Sequence, residues 1–148
     1  MGLKRLLATS HISASGLAAE RQRMEVIANN IANANSTNSL SGGPYRRQVM
    51  VFSEAFDMAL AGGKYNANGL EGVKIKGVES DWSEMPRVYN PGHPDADESG
   101  MVTMPNVKLP NEMVDLITAS RAYEANLKAL HQFRQMTEQT LSLLRGIS

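Results

Sequence analysis

The chain has 148 residues, enough for about one domain, with 15 basic and 15 acidic side chains and a formal net charge of zero. That balance argues against a nucleic-acid binder, which needs a basic face to displace counterions. The absence of cysteine removes disulfides, thiolate metal sites and thiol catalysis from consideration. Hydrophobic residues make up 42% of the chain but aromatics only 5%, so the core is expected to be thin, with the nine methionines replacing large rigid anchors.

The N-terminus, "MGLKRLLATSHISASG", carries a basic pair, Lys4 and Arg5, followed by the apolar run Leu6-Leu7-Ala8. That run is shorter than the ~7–15 residues of a signal-peptide core. No apolar stretch approaches the ~20 residues of a membrane span. A route out of the cytosol that needs no cleaved signal peptide is expected if the protein is exported. From about residue 1 to 35 the pattern is helical: Leu3, Leu6, Leu7, Leu17, Met24, Ile27, Ile31 and Ala34 fall on one three-four stripe. Ser10, Ser13, Ser15 and Gly16 weaken its middle, with glycine costing ~1 kcal/mol relative to alanine, and predict a break near Gly16. The stripe ends in "IANNIANANSTN", residues 27–38, whose five asparagines compete for backbone hydrogen bonds and loosen a helix.

From about residue 36 to 110 the helical pattern disappears. Most of the twelve glycines and all six prolines lie here. Short β-type runs predict strands at "RRQVMVF" (46–52), "GVKIKGVES" (72–80) and "PRVY" (86–89), with period-two alternation at Val49 and Val51 and at Val73 and Ile75. Turn signals separate them at "SGGP" (41–44), "NANG" (66–69) and "NPGHP" (90–94). From about residue 111 to 148 helical order returns, with Met113, Leu116, Tyr123, Leu127, Leu130, Leu141 and Leu144 on a heptad-like beat interrupted by Ser120, Arg134 and Thr137. Pro110 at its entry, Arg145 in the last turn and Gly146 beyond fit helix start and stop rules. The expected fold is mainly α with a small β insertion: helix, irregular β-rich middle, helix. Each terminal helix would run roughly 50 Å. The two stripes fit either a self-contained antiparallel pair or a coiled coil completed by copies of the same or related chains.

Candidate chemistry is sparse. "HPDADESG", residues 93–100, copies the opening of a calcium loop, with Asp95, Asp97 and Ser99 alternating before Gly100. The twelfth position is Asn106 instead of a bidentate glutamate, and no helix precedes the loop, so a solvated acidic turn is the better reading. His11, His93 and His131 lie far apart and form no metal-ligand pair motif. "LAGGKYN" lacks the spacing of a phosphate loop, and no G-x-S-x-G elbow is present. Arg46-Arg47 beside Tyr45 reads as a solvated strand edge or an interface contact. Nothing resembles an active site, and no metal, cofactor or small-molecule substrate is implied.

Two long motifs carry a resemblance. "SGLAAERQRMEVIANNIANANST" (15–37) with "GGPYRRQ" (42–48) resembles the N-terminal motif of the bacterial flagellar axial proteins, the rod and hook family. "MPNVKLPNEMVDLITASRAYEAN" (104–126) is similar to their C-terminal motif, and "YNPGHPDADESGMVTMPNV" (89–107) resembles the proximal-rod members in particular. Residues 53–88 carry little of it. The resemblance implies a non-catalytic building block of a hollow helical shaft that transmits torque. It implies terminal helices packed as coiled coils and export through the flagellum-specific type III machinery. It also implies contacts with itself, other rod proteins and the rod-to-MS-ring adaptor in the periplasmic space. The expected assembly interface is Leu17, Met24, Ile27, Asn29, Asn30, Ile31 and Asn33 on the first helix. On the second it is Met113, Leu116, Tyr123, Asn126, Leu127, Leu130, Leu141 and Leu144. Asn29, Asn30 and Asn33 would donate and accept hydrogen bonds between subunits, fixing register.

Overall fold

A computed structural model describes residues 2–39, 42–54 and 73–145. In chain order the elements are α1 (Gly2–Ala32), β1 (Gln48–Glu54), β2 (Val73–Ser80), β3 (Arg87–Tyr89), β4 (Met101–Thr103) and α2 (Leu109–Arg145). The "NANG" turn expected at 66–69 lies outside the described residues. β1 pairs with β2, and β3 pairs antiparallel with β4 in the register Arg87 to Thr103, Val88 to Val102 and Tyr89 to Met101. β4 has no counterpart among the expected strands. Three residues are too few to show alternation, and this strand is created by its partner.

The chain forms two compact units. One comprises Met1–Gln22, Phe52–Lys76 and Ala119–Ser148, the other Arg23–Val51 and Gly77–Thr118. Among the described residues of the first unit the buried apolar ones are small, Ala19 on α1 and Ala119 on α2. Among those of the second they are Ile27, Met50 and Val102, with Pro105 also buried. The most deeply buried polar side chains with them are Asn30 and Glu112.

The break expected at Gly16 does not occur: α1 is continuous through it. A Cβ placed on Gly16 would sit 3.0 Å from Nδ2 of Asn126 on α2, so the missing side chain makes room for the second helix. Ser15 Oγ donates to the Ile12 carbonyl at 2.7 Å, which keeps that hydroxyl within the helix instead of competing with it. Close packing outweighs the propensity cost. Pro110 lies in the first turn of α2, where its missing N–H leaves nothing unsatisfied; Asn111 and Glu112 N–H both donate to the Lys108 carbonyl just before the helix.

The connection from β3 to β4 is a series of turns. His93 N–H donates to the Asn90 carbonyl, Ala96 N–H to His93 and Gly100 N–H to Asp97. Asp97 organises it. Its Oδ1 accepts from the N–H groups of Ser99 and Met101, each at 2.9 Å, and its Oδ2 pairs with Arg87. Asp95 accepts from the Thr37 hydroxyl at 2.7 Å. Asp97 is turned onto its own backbone and Asp95 onto Thr37, and among the described residues no group of three or more acidic or histidine side chains is placed to hold a metal ion. Gly100 closes the loop at φ +76°, and a Cβ there would meet Tyr89 Cε2 at 2.9 Å and Pro91 Cβ at 3.1 Å.

Two outcomes are expected. Gly100→Ala combines left-handed strain of about 1–2 kcal/mol with that clash. It should lower the urea midpoint clearly, whereas Gly92→Ala, which meets only Asn90 Oδ1 at 3.9 Å, should be neutral or slightly stabilising. The Met101 N–H, then the Ser99 N–H and the Arg87 charge, outweigh partial desolvation and hold the Asp97 carboxyl below its ordinary value. A carboxyl lowered on folding stabilises fully above its unfolded value of about 3.9 and loses that contribution as pH falls through the folded value. Protection of the Ser99 and Met101 amides, their exchange relative to the unstructured chain at the same pH, should therefore hold from pH 7 down to the ordinary carboxylate range and fall only below it. Asp97→Ala should remove this protection at every pH.

Candidate functional site

The most buried polar side chains of the second unit meet in one network, assembled from the end of α1, the start of β1, the segment after β2 and the first turn of α2. The asparagine run closes α1. Asn33 N–H donates to the Asn29 carbonyl at 3.1 Å, and Asn33 Nδ2 donates to the same carbonyl at 2.9 Å. Ser36 then binds Asn33 through both backbone and side chain. Tyr45 N–H donates to the Ser36 carbonyl at 3.0 Å, which places the residues before β1 beside the end of α1.

Asn30, 1% exposed, uses its full hydrogen-bonding capacity. Its Nδ2 donates to the Gln48 carbonyl at 2.9 Å and to Glu112 Oε2 at 3.0 Å. Its Oδ1 accepts from the Tyr45 hydroxyl and from the Gln48 N–H, both at 2.9 Å. Asn30 therefore completes the backbone pairing that β1 lacks at its first residue. Glu112, also 1% exposed, lies in the first turn of α2, where the helix dipole favours a negative charge. Its other oxygen, Oε1, accepts from Arg47 Nε at 2.6 Å. Asp81 and Asp115 stand 3.6 Å from the remaining guanidinium nitrogens. Asn106 extends the network: its Oδ1 accepts from the Arg47 N–H at 2.8 Å, and its Nδ2 donates to the Asp81 carbonyl and to Ser83 Oγ, both at 2.9 Å.

The electrostatics follow from these contacts. Burial pulls the Arg47 guanidinium down, but the hydrogen bond to Glu112, the Glu112 charge and the charges of Asp81 and Asp115 outweigh it and hold it above its ordinary value. Burial, with the nearby Glu112 carboxylate, pushes the Tyr45 phenol up. Hydrogen bonds from the Ser83 N–H and hydroxyl, with Arg47, keep Asp81 low. Every polar group at the centre is committed to a neighbour in the same chain, so the arrangement acts as a clamp that fixes the four segments.

The residues expected to form an assembly interface distribute unevenly. Ile27 and Asn30 are buried; Leu17, Met24, Ile31 and Asn33 on α1 are half-buried, as are Leu116, Tyr123, Asn126 and Leu130 on α2. Asn29, Met113, Leu127 and Leu141 are exposed, and the Leu144 side chain lies outside the described residues. The structure brings Asn30 to Glu112 and Asn126 to Gly16. The hydrogen bonds of Asn30 and Asn33 are made inside the chain, where interchain bonds were expected. Arg47 is not a solvated edge but the cation of the clamp, and Arg46 lies over Trp82 with Cζ 4.5 Å from the ring centroid. Glu112, Asn106 and Tyr45 lie inside the motifs that carry the resemblance, but the sequence assigned them no role. Each pairs with residues far along the chain, and nothing local distinguishes them from surface polar residues.

The sequence matches the family model described as flagella basal body rod protein over residues 11–38. It matches the model described as flagellar basal body rod FlgEFG protein C-terminal over residues 98–143. It is 39% identical over 150 residues to the flagellar basal-body rod protein FlgC of Borreliella burgdorferi, covering 95% of this chain and 99% of that one. It is 39% identical over 142 residues to FlgC of Agrobacterium fabrum, covering 95% and 96%. To FlgC of Bacillus subtilis it is 35% identical over 144 residues, covering 90% and 94%. Asn30 falls in the first matched stretch and Glu112 in the second, while Arg47 and Asp81 lie between them.

Glu112→Ala leaves Arg47 with Asp81 and Asp115 at 3.6 Å but strips the buried Asn30 amide of a partner. It is expected to destabilise by about 1–3 kcal/mol in urea unfolding. Glu112→Gln should cost less, because its amide retains one acceptor. Asp115→Asn, at the exposed rim of the same cluster, should change stability by under about 1 kcal/mol.

Proposed function

The chain belongs to the FlgC family of flagellar basal-body rod proteins, and we propose that this structural rod subunit works in the proximal rod. There it assembles with itself and other rod proteins into a helical tube that transmits torque. The observation that carries this reading is identity of 39% with a FlgC protein across 95% of the chain and 99% of the relative. A match of that extent leaves no room for a large inserted domain of another function. The role is non-catalytic: the clamp positions segments, and the helices supply surface.

In this reading the terminal helices pair as an antiparallel coiled coil whose outer faces are covered by neighbouring subunits. Each unit supplies one contact between α1 and α2, Gly16 with Asn126 in one and Asn30 with Glu112 in the other. The outer faces are supported by what the chain leaves uncovered. Met113, Val114, Ile117, Leu127, Met136, Leu141 and Leu143 of α2 are all exposed, more apolar surface than one helix in isolation retains without cost. The residues proposed for the interface are those named from sequence, with Asn30 and Asn33 assigned to holding the chain that presents it. Export through the flagellar type III machinery without a cleaved signal peptide, docking on the rod-to-MS-ring adaptor and a periplasmic location complete the proposal.

The test is complementation of a strain lacking the gene, with export and assembly scored separately. Leu127→Asp, at a side chain 37% exposed on α2, is expected to permit synthesis and export but to block incorporation into the rod, leaving cells without flagella. Ala129→Asp, exposed and on a different part of the helix circumference, should be milder. Normal assembly of Leu127→Asp would overturn the coiled-coil interface.

A further inference from the structure

Trp82, the chain's single tryptophan, follows β2 and is 79% exposed. The Arg46 guanidinium backs one side of the indole, with Cζ 4.5 Å from the ring centroid, so the ring is supported while most of its surface meets water. Tryptophan and arginine are the residues most enriched among those that carry binding energy at protein interfaces. The surrounding sequence, Glu79-Ser80-Asp81-Trp82-Ser83-Glu84, holds three acids and no base. Asp81 faces Arg47 in the clamp, whereas Glu79 and Glu84 are exposed. In the other unit, β2 begins Val73-Lys74-Ile75-Lys76. Strand alternation puts Lys74 and Lys76 on one face, about 7 Å apart, and both are exposed. A tryptophan flanked in sequence by two exposed glutamates, and a pair of exposed lysines, are thus surfaces of complementary charge on a single chain. Both lie outside residues 11–38 and 98–143, the stretches that match the rod-family models.

We propose that Trp82, with Arg46, Glu79 and Glu84, docks against the Lys74–Lys76 strand face of a second copy of this chain. The lysine stems lie along the indole and their ammonium groups meet the two glutamates. The contact is heterologous: each copy offers one surface and receives the other, as propagation between like subunits requires. It rests on the rod-subunit reading and adds how one copy selects another, through residues outside both helices.

The absence of native cysteine makes the test direct. Ser83→Cys and Val78→Cys, the latter exposed on the same strand face as Lys74 and Lys76 and leaving both in place, carried by separate copies expressed together in a strain lacking the gene, should yield a disulfide-linked dimer in purified basal bodies under mild oxidation. Adding Trp82→Ala to the Ser83→Cys copy should abolish it; an indole this exposed contributes little to folding, so loss of the dimer reads out contact. Independently, Glu79→Lys with Glu84→Lys should abolish swimming, and Lys74→Glu with Lys76→Glu in the same chain should restore it. Basal bodies that contain both cysteine variants but no dimer overturn this contact and leave the rod-subunit reading intact, as does a dimer unaffected by Trp82→Ala. Absence of the wild-type chain from purified basal bodies overturns both.

Discussion

A buried carboxylate governs this structure. Glu112 is removed from water almost completely, and such a charge is tolerated only when its oxygens are occupied by donors. One oxygen takes Arg47 and the other Asn30. Satisfying Glu112 therefore fixes the end of one helix, the start of the first strand and the first turn of the other helix together. Among the described residues of the same unit the buried aliphatic side chains are Ile27, Met50 and Val102, too few to dictate one arrangement unaided. Hydrogen bonds have direction where apolar contacts do not, so a thin core gains a unique geometry from its polar centre.

The broad architecture was legible because helical and strand periodicities do not depend on distant partners. The stripe from Met113 to Leu144 and the alternation around Val73 and Ile75 are local properties of the chain. Gly16 shows where local reasoning fails: its low helix propensity is a property of the residue, whereas its usefulness comes from Asn126 on another helix. Glu112 and Arg47 show the same limit. A glutamate after a proline at a helix start and an arginine at a strand start each have an ordinary surface explanation, and only the fold brings them within 2.6 Å. Asn30 was legible as important through the density of asparagines around it, but the partner that makes it so was not.

The asparagine run combines two roles that its composition alone does not separate. Asn33 terminates the helix by binding the Asn29 carbonyl, and Asn30, one turn earlier, faces inward to complete β1. A residue that loosens helices suits a place where the helix must stop and the next segment must be caught. The exposed side chains of α2 have the opposite character. Leu127, Met136 and Leu141 are exposed on this chain. Internal specificity is thus polar and concentrated, while the exposed side of α2 carries large apolar side chains.

The bond between Asn30 and Glu112 joins residues 82 positions apart, and that between Arg47 and Glu112 spans 65. Closing such long loops costs chain entropy before any contact repays it, and this cost grows only slowly with length. A chain that emerges from its N-terminus must therefore present three quarters of its sequence before the carboxylate arrives. Until then Asn30 and Arg47 remain hydrated and the segments they join have no reason to order. High contact order slows folding for the same reason. The placement of Glu112 makes folding of this unit conditional on the second helix, so that an incomplete chain stays open and only a nearly complete one closes.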